Sequence, residues 1–379
     1  MNSIAIITSQ AFSLWNFRGP LIRTLTARGI FVYALAPDYD DEIRERVRKM
    51  GAVPVDFSLS RAGINPLKDV LTIIQLYKIL KQLSPKIVFV YFVKPVLYGT
   101  LAACFANVKA RFAMIEGLGY VFLDCAASIT WQRRILRYAV SSFYKFALRL
   151  NQKVIFLNQV DVDQFVNEGI VSSNKVVQIN GIGLDLDYFS PVPAITDPVT
   201  FILVARMLKE KGVFDFVEAA RLVRESYADA KFVIVGGVDQ NPGSIKESQL
   251  HAWVAEGILE WPGHVNDVRP WLAKSSVFVL PSYYREGLPR GNQEAMAMGR
   301  PIITTDWVGC RETVKDGVNG ILIPIRDPRA IAQAMVRFIE NPQLIEKMGL
   351  EGRRMAEECF DVHVINKQIM ETMGLCLFT

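Results

Sequence analysis

The stretch Val277 to Thr304 reads V-F-V-L-P-S-Y-Y-R-E-G-L-P-R-G-N-Q-E-A-M-A-M-G-R-P-I-I-T. Its two ends, Val277–Leu280 and Pro301–Thr304, are short apolar runs typical of strands, and the Ala/Met-rich segment between them predicts a helix. A strand, a Gly/Pro-containing loop, a helix and a second strand form one unit of a parallel sheet. The loop carries Glu286, and Glu294 follows where the helix is expected to begin.

The same alternation of short apolar runs and longer helical patterns fills both halves of the chain. It predicts two doubly wound α/β domains, residues 1–190 and 191–355, with Asp185 to Pro198 as the linker and residues 356–379 packing back towards the first domain. Ligands of such sheets bind beyond the carboxyl ends of the strands, and we expect these ends to face each other across a cleft. The predicted strands are Ile4–Thr8, Phe31–Ala36, Val53–Phe57, Ile87–Phe92, Phe112–Ile115, Val154–Leu157, Val176–Ile179, Thr200–Val204, Lys231–Val235, Val277–Leu280, Pro301–Thr304 and Gly320–Ile323.

Composition excludes several classes of protein. The five cysteines lie far apart without C-x-x-C spacing, which disfavours a disulfide scaffold or zinc site and favours the cytoplasm. Residues 1–195 carry 22 Lys and Arg against 14 Asp and Glu, so an anionic partner is expected on the first half. No basic arm or aromatic-basic RNP motif points to nucleic acid. Lys94, Pro95 and Gly99 interrupt the apolar region Ile87 to Val108, which therefore predicts a strand, loop and helix rather than a membrane span.

Glu286 and Glu294 admit three interpretations. They form either the acid/base pair of a glycosidase or a pair that grips hydroxyl groups beside a phosphate; separate structural roles, a turn residue and a carboxylate at a helix N-terminus, are the plainer alternative. Arg206 and Lys211 flank the loop after Thr200–Val204 and suit a diphosphate, with a solvated loop as the rival.

Two glycines, Gly236 and Gly237, end the strand Lys231–Val235. They permit either a tight turn or close approach of a ligand. Neither half contains G-x-G-x-x-G, so dinucleotide binding is unsupported.

Several motifs together resemble the retaining glycosyltransferases of family four, whose GT-B fold has two facing Rossmann-like domains. In the second half these are R-M-L-K-E-K-G, V-G-G, E-G-L-P-R-x-x-x-E-A-M-A-M-G-R-P-I-I and G-C-R-E-T-V-x-D-G-V-N-G. First-half elements look like the branch that acts on undecaprenyl-diphosphate-linked sugars: Phe17–Ile22, Ser60–Leu67, Val93–Gly99 and Ile115–Tyr120.

This resemblance implies a role for each matching residue. Arg206 and Lys211 would hold the donor diphosphate, Glu286 would bind sugar hydroxyls beside the N–H groups of Gly287 and Leu288, and Glu294 would bind the ribose. Gly236 and Gly237 would line the nucleotide-sugar site. No cofactor or metal ion is expected, because members of this family usually work without a divalent ion.

The chain departs from the family pattern at three places. Glu116 stands where many members carry a histidine, so it is expected either to bind the acceptor hydroxyl or donor sugar or to be a buried structural carboxylate. Gly291-Asn292-Gln293 replaces an apolar trio, and Trp307 replaces a small residue or proline. Both changes are expected to reshape the donor-sugar pocket.

The segment from Trp131 to Leu150 predicts an amphipathic helix with a purely cationic face. Trp131, Tyr138, Tyr144 and Leu148 fall on or beside that face, as at a membrane interface. Periodicity alone favours at least equally a domain helix with a solvated basic side. The absence of acidic residues and the lipid-linked acceptors that the resemblance implies favour docking at an anionic membrane surface. The cationic residues expected to contact membrane or acceptor are Arg133, Arg134, Arg137, Lys145 and Arg149, with Lys94 on the acceptor side.

The function expected from these features is transfer of a sugar, an N-acetylhexosamine, from a UDP-sugar to a polyprenyl-diphosphate-linked saccharide. The setting is bacterial surface-glycan assembly, with the protein bound peripherally at the cytoplasmic face of the membrane. The alternatives are a GT-B transferase with a soluble acceptor, a non-catalytic nucleotide-sugar-binding protein and, with less support, a GT-B epimerase.

Overall fold

The structure is a computed structural model that describes residues 2–60, 65–118, 122, 131–239 and 243–375, with the backbone alone of residues 132 and 133. Parts of two acceptor-side motifs, residues 61–64 and 119–120, therefore lie outside the described residues, as do Cys125, Cys376 and the Arg133 side chain.

The described chain forms two compact units. Residues 2–183 together with residues 362–375 form the first unit, and Leu184–Asp361 form the second. The sequence prediction placed this boundary later, at residue 190. Leu184 and Phe189 instead lie in the core of the second unit. The predicted linker, Asp185 to Pro198, therefore packs on that unit.

The first unit is built on a parallel sheet of order β3-β2-β1-β4-β5-β6-β7. Its strands are β1 Ser3–Ile7, β2 Phe31–Ala36, β3 Val53–Asp56, β4 Ile87–Tyr91, β5 Ala110–Ile115, β6 Lys153–Phe156 and β7 Val176–Gln178. Its helices are α1 Ala11–Asn16, α2 Gly19–Ala27, α3 Asp41–Lys49, α4 Pro66–Leu83, α5 Thr100–Phe105, α6 Trp131–Arg149 and α7 Gln159–Asn167. A π-helical turn, Pro95–Gly99, precedes α5.

The second unit is built on a parallel sheet of order β12-β11-β10-β8-β9. Its strands are β8 Thr200–Val204, β9 Lys231–Val235, β10 Val277–Leu280, β11 Ile302–Thr305 and β12 Gly320–Ile323. Its helices are α8 Val213–Arg224, α9 Glu247–Ala255, α10 Arg269–Ala273, α11 Arg290–Ala297, α12 Pro328–Glu340 and α13 Gln343–Cys359. The last helix, α14 Val362–Thr372, belongs to the first unit and contacts α2.

Helix starts follow local chemistry. The Asn65 side chain accepts a hydrogen bond from the Lys68 N–H at 3.2 Å, and Pro66 occupies the first helical position of α4. Asp327 and Pro328 open α12 in the same way. An oxygen-bearing cap satisfies a free N–H of the first turn, while proline lacks the N–H that would go unpaired there.

The crossovers from β3 to β4, β4 to β5 and β5 to β6 all run in one direction along the first sheet. Right-handed crossovers that run in one direction place their helices on the same face of a sheet. Helices α4, α5 and α6 therefore form one layer, which shares a core with that face. Among the described residues, no helix combines the length and apolar character needed to cross a bilayer.

Candidate functional site

Three loops meet at the carboxyl end of the second sheet. The loops that follow β8 and β9 are tied together by the bond from the Met207 N–H to the Gly237 carbonyl, 3.1 Å long. The loop after β10 joins them through the Tyr283 N–H, which donates to the Glu210 carbonyl at 2.9 Å. Because β8, β9 and β10 are neighbouring parallel strands, residues distant in sequence are brought to one edge.

Lys211 and Glu286 form an ion pair at this edge. The Ser282 hydroxyl donates to the same Glu286 oxygen at 3.1 Å, and both charged side chains are only 13% exposed. Glu286 lies in a loop, as the sequence predicted. An ammonium group has three donors, so Lys211 can hold Glu286 and still donate to an anionic oxygen.

Gly309 leaves the space that Glu286 occupies. A Cβ built on Gly309 would lie 2.7 Å from the Glu286 Cβ and equally close to its carbonyl oxygen. Gly309 also has φ +82°, which disfavours any residue with a Cβ. The sequence motif G-C-R-E-T-V-x-D-G-V-N-G begins with this glycine, but its role was not predicted, because nothing local indicates that Glu286 packs against it.

Arg206 lies in the loop after β8, at the same end of the sheet, and its guanidinium donates to Asp239 at 2.8 Å. Tyr284 lies close to both predicted phosphate cations. Its ring centroid is 5.5 Å from the Lys211 ammonium, and its hydroxyl pKa is raised by burial, with the Arg206 charge opposing that rise. Tyr284 was not predicted as a site residue.

Glu294 is not at a helix start. Helix α11 begins at Arg290, so Glu294 lies more than one turn inside it and gains little from the helix N-terminus. It instead accepts a hydrogen bond from Arg290 Nε at 2.7 Å. Burial raises the pKa of the Glu294 carboxyl, and the Arg290 charge opposes that rise.

Two residues of the trio before Glu294, Asn292 and Gln293, are buried. The Asn292 amide donates to the Thr313 hydroxyl at 2.8 Å, and the Gln293 amide donates to the Leu288 carbonyl at 3.4 Å. Gln293 thus braces the loop that holds Gly287 and Leu288. Trp307 is half-buried after β11.

The two glycines after β9 have a packing role. A Cβ on Gly236 would overlap the Ala205 carbonyl, and the Gly236 carbonyl accepts from the Trp261 indole at 2.9 Å. Close approach of the backbone therefore explains Gly236 without a ligand. Contact of either glycine with a nucleotide sugar stays a prediction.

Glu116 follows β5 in the first unit and pairs with Arg18. Arg18 is 1% exposed and Glu116 is 11% exposed. The guanidinium lies 4.6 Å from the Tyr91 ring centroid, and burial raises the pKa of Tyr91 to about 12. Sequence reasoning quoted Arg18 within a motif but gave it no role. The structure shows that Glu116 is held by a buried cation, with its own side chain at the edge of solvent.

Lys94 lies beside the same sheet end and pairs with Asp69 at 3.1 Å. Its ammonium is 5.9 Å from the Tyr98 ring centroid. Burial raises the pKa of Tyr98, and the Asp69 charge adds to the rise. The predicted acceptor-side lysine is therefore oriented by a largely buried carboxylate.

Helix α6 differs from the prediction. Tyr144 and Leu148, expected beside the cationic face, are buried in the core, because the Tyr144 ring packs on Phe165 at 5.4 Å. Arg137 is paired at 2.9 Å with Glu168, the C-cap residue of α7, so the face is not purely cationic. Arg134 and Arg149 are exposed, and Lys145 is half-buried near Gly169.

Among the described residues, no three His, Cys, Asp or Glu side chains form a group suited to a metal ion. The expectation that the transfer reaction needs no divalent ion stays a prediction.

Two family models match the chain. Residues 11–156 match the model described as glycosyl transferase 4-like, and residues 198–341 match glycosyl transferases group 1. Each match therefore lies within one of the two structural units.

Named relatives agree with these matches. The chain is 28% identical, over 97% of each chain, to the N,N'-diacetylbacillosaminyl-diphospho-undecaprenol α-1,3-N-acetylgalactosaminyltransferase of Campylobacter jejuni. It is 27% identical to the UDP-Gal:α-D-GlcNAc-diphosphoundecaprenol α-1,3-galactosyltransferase of Escherichia coli, over 74% of this chain and 73% of that protein.

Solved structures share the fold. HepE of Anabaena, in complex with UDP-glucose, has a TM-score of 0.77 at 17% identity, over 99% of this chain and 100% of that one. Sucrose-phosphate synthase of Thermosynechococcus elongatus has a TM-score of 0.78 at 19% identity, over 98% of each chain. The family matches and the named relatives show that the chain is a glycosyltransferase, an enzyme that transfers a sugar, and the two parallel sheets and these likenesses show that it has the GT-B fold.

Proposed function

We propose that this enzyme transfers an N-acetylhexosamine from a UDP-sugar to a polyprenyl-diphosphate-linked saccharide with retention of anomeric configuration. The observation that carries the proposal is the cluster of Lys211, Glu286 and Ser282, with Arg206 nearby, at the carboxyl end of the second sheet. The acceptor class is supported by relatives whose names specify diphospho-undecaprenol substrates.

The donor-side chemistry follows from these charges. Arg206 and Lys211 stabilise the negative charge that develops on the departing diphosphate, and fixed cations stabilise such charge without reorganisation. Glu286 accepts hydrogen bonds from sugar hydroxyls, and Glu294 accepts them from the ribose. Gly287 and Leu288 supply backbone N–H groups in the same loop.

Transfer on one face of the sugar requires no protein nucleophile. The acceptor oxygen forms a bond to the anomeric carbon while the bond from that carbon to the diphosphate oxygen breaks. The proton of the acceptor hydroxyl passes to a phosphate oxygen of the leaving group. Reaction on the face from which the diphosphate departs retains the anomeric configuration.

The experiment is a transfer assay with UDP-GalNAc, UDP-GlcNAc, UDP-galactose and UDP-glucose, using a polyprenyl-diphosphate-linked saccharide and its water-soluble analogue. We expect an N-acetylhexosamine donor and the lipid-linked acceptor to be preferred, and NMR to show an α-linked product. Glu286→Ala is expected to abolish transfer with the fold intact. A β-linked product would refute retention, and wild-type transfer by Glu286→Ala would refute the site.

The membrane setting is the cytoplasmic face, where anionic lipids attract basic residues with about 1 kcal/mol each. The exposed cations Arg134 and Arg149 of α6 support this setting. Arg134→Glu with Arg149→Glu is expected to reduce flotation with anionic liposomes. Arg133 and Arg137 were also expected to contribute, but Arg137→Glu would break the pair with Glu168 and is a poorer test.

A further inference from the structure

Helix α4 exposes an apolar stripe along its N-terminal half. Leu67 is 80% exposed and Leu71 is 64% exposed, while Leu76 and Leu80 on the other side are buried in the core. Positions spaced by three and four residues share one face of a helix, so the stripe is continuous. Its members are Leu67, Val70, Leu71 and Ile74. A contiguous exposed apolar patch marks an interaction surface.

The charges beside this stripe have one sign. Lys78 and Lys81 continue the exposed face towards the helix C-terminus, and Lys68 flanks the stripe. The one acidic residue of α4, Asp69, is buried and paired with Lys94. The outward surface of α4 therefore offers apolar side chains and cations but no carboxylate.

Helix α6 has an outward surface of the same kind. Its sequence contains no acidic residue, and Arg134 and Arg149 are exposed. Its exposed large apolar side chains are Trp131, Ile135, Tyr138 and Phe146. Tryptophan and tyrosine are the side chains enriched where a membrane meets water.

The two surfaces belong to one layer. Both helices pack against the π-helical turn Pro95–Gly99, and the Tyr98 ring of that turn lies 6.0 Å from the Phe143 ring of α6. Because the crossovers place α4 and α6 on the same face of the first sheet, their exposed sides both point away from that sheet. We call the exposed sides of these two helices the α4–α6 face.

We propose that the α4–α6 face inserts its apolar side chains into the interface of an anionic lipid bilayer, with α4 as an anchor in addition to α6. Exposed apolar residues beside cations, on two helices whose own outward surfaces carry no carboxylate, fit the boundary between acyl chains and anionic headgroups. The bilayer, rather than a second copy of the chain, is the occupant that these charges complement, because two copies of this face would bring like charges together. The inference rests on the proposed function in one respect: the lipid-linked acceptor is the reason for the enzyme to bind a bilayer.

The test is flotation of the full-length protein with phosphatidylcholine vesicles that contain phosphatidylglycerol. Leu67→Gln with Leu71→Gln removes two inserted side chains and adds no charge. We expect it to weaken partitioning by about 100-fold, since burying each leucine contributes roughly one factor of ten. The matched control replaces the exposed Leu350 and Val364, on α13 and α14, with glutamine; it is expected to float like the wild type.

A second pair of substitutions separates charge from insertion. Lys78→Gln with Lys81→Gln is expected to weaken binding to the phosphatidylglycerol vesicles by about 30-fold, because two cations near an anionic surface are lost. On pure phosphatidylcholine the same variant is expected to bind like the wild type.

Two results would overturn the proposal. One is unchanged flotation of Leu67→Gln/Leu71→Gln, with circular dichroism confirming that the variant is folded. The other is a wild-type dimer in light scattering that this variant converts to monomer without loss of flotation, because the face would then join two copies. Flotation needs neither donor nor acceptor, so failure of the sugar-transfer assay would leave its result standing, and the reverse also holds.

Discussion

The position of the Glu286 side chain depends on Gly309, which has no side chain. The space beside its Cβ exists because Gly309 has none, and the Lys211 ion pair and the Ser282 hydrogen bond both require Glu286 to stay there. A shift of about 1 Å in a positioned group lowers a rate by roughly 100-fold. Gly309 is therefore expected to matter for catalysis although it supplies no chemical group.

Gly309→Ala is expected to lower kcat/KM by about 100-fold, because the new Cβ displaces Glu286. The control is Gly317→Ala, which also places alanine at positive φ but meets no atom within 4 Å. Kinetics with the preferred UDP-sugar measure the effect, and circular dichroism checks the fold. Equal losses in both variants would mean that backbone strain, not displacement of Glu286, is responsible.

The Arg18–Glu116 pair allows a structural role to be separated from a catalytic one. Arg18→Met leaves the Glu116 carboxylate without its buried cation and is expected to destabilise the protein by about 3 kcal/mol and lower transfer. The double variant Arg18→Met/Glu116→Gln removes both charges and should recover stability in a urea titration.

If Glu116 contacts a substrate, the double variant stays inactive although it is stable. Recovery of both stability and transfer would show that Glu116 is only the structural partner of Arg18. Arg18→Lys retains the charge and is expected to keep more activity than Arg18→Met, because the ion pair survives in a less favourable geometry.

Glu294 makes the stability of the folded protein depend on pH. Its carboxyl has a raised pKa in the folded protein, so the folded state binds more protons than the unfolded state above the unfolded pKa, and stability falls as pH rises through that window. The Glu294→Gln variant has no carboxyl at this position, so its stability does not fall with pH for this reason. The Tm of Glu294→Gln minus that of the wild type is expected to become more positive as the pH rises above 4.5, the ordinary pKa of the carboxyl; a constant difference would contradict this.

At the scale of elements, apolar runs predicted the sheets well. All twelve predicted strands are confirmed among the described residues, with ends shifted by at most about two residues. Helix α6 shows where periodicity fails: its apolar residues occupy more than half of the helix circumference, so the pattern does not identify the arc that meets the core. Tyr144 is buried because Phe165, in α7, packs on it.

The part of the candidate site that could be predicted from the sequence is the set of residues in loops that follow strands. Glu286, Arg206 and Lys211 come directly after β10 and β8, and parallel strands bring such loops together. Arg18 and Gly309 were missed because each acts through a partner far away in sequence. Glu294 was misplaced by one turn because helix α11 starts at Arg290, immediately after Pro289.

Arg300 joins three elements of the second unit. Its guanidinium donates to the carbonyls of Leu272, Ala273 and Val192 at 2.8, 3.2 and 2.7 Å, and burial lowers its pKa to about 10. This anchor explains why the predicted linker packs on the unit.

Arg300→Met is expected to lower the free energy of unfolding by about 3 kcal/mol, because several buried carbonyls lose their donor. Arg354→Met is the control: Arg354 is 60% exposed and pairs with Glu351 across one turn, so its loss should cost within about 0.5 kcal/mol. Urea titration measures both. Similar midpoints for the two variants would contradict the anchoring role.

At the scale of the whole molecule, charge divides along the structural boundary. Residues 1–183 and 362–379 carry 23 Lys and Arg against 13 Asp and Glu, whereas Leu184–Asp361 carry 20 against 25. The basic unit has the α4–α6 face and Glu116, and the acidic unit has Arg206 and Lys211, the cations proposed to hold the diphosphate. The proposals therefore assign a different ligand to each unit: an anionic lipid surface to one and a nucleotide sugar to the other.

This division predicts two separable patterns of hydrogen exchange. Phosphatidylglycerol vesicles are expected to slow amide exchange in Pro66–Leu83 and Trp131–Arg149 but not in the second unit. A UDP-sugar is expected to slow exchange in the loops after β8 and β10 but not in α4 or α6, because the proposed donor site contains Arg206, Lys211 and Glu286. Mass spectrometry of peptides from the full-length enzyme measures both. Protection of α4 by the UDP-sugar alone would contradict the assignment of one ligand class to each unit.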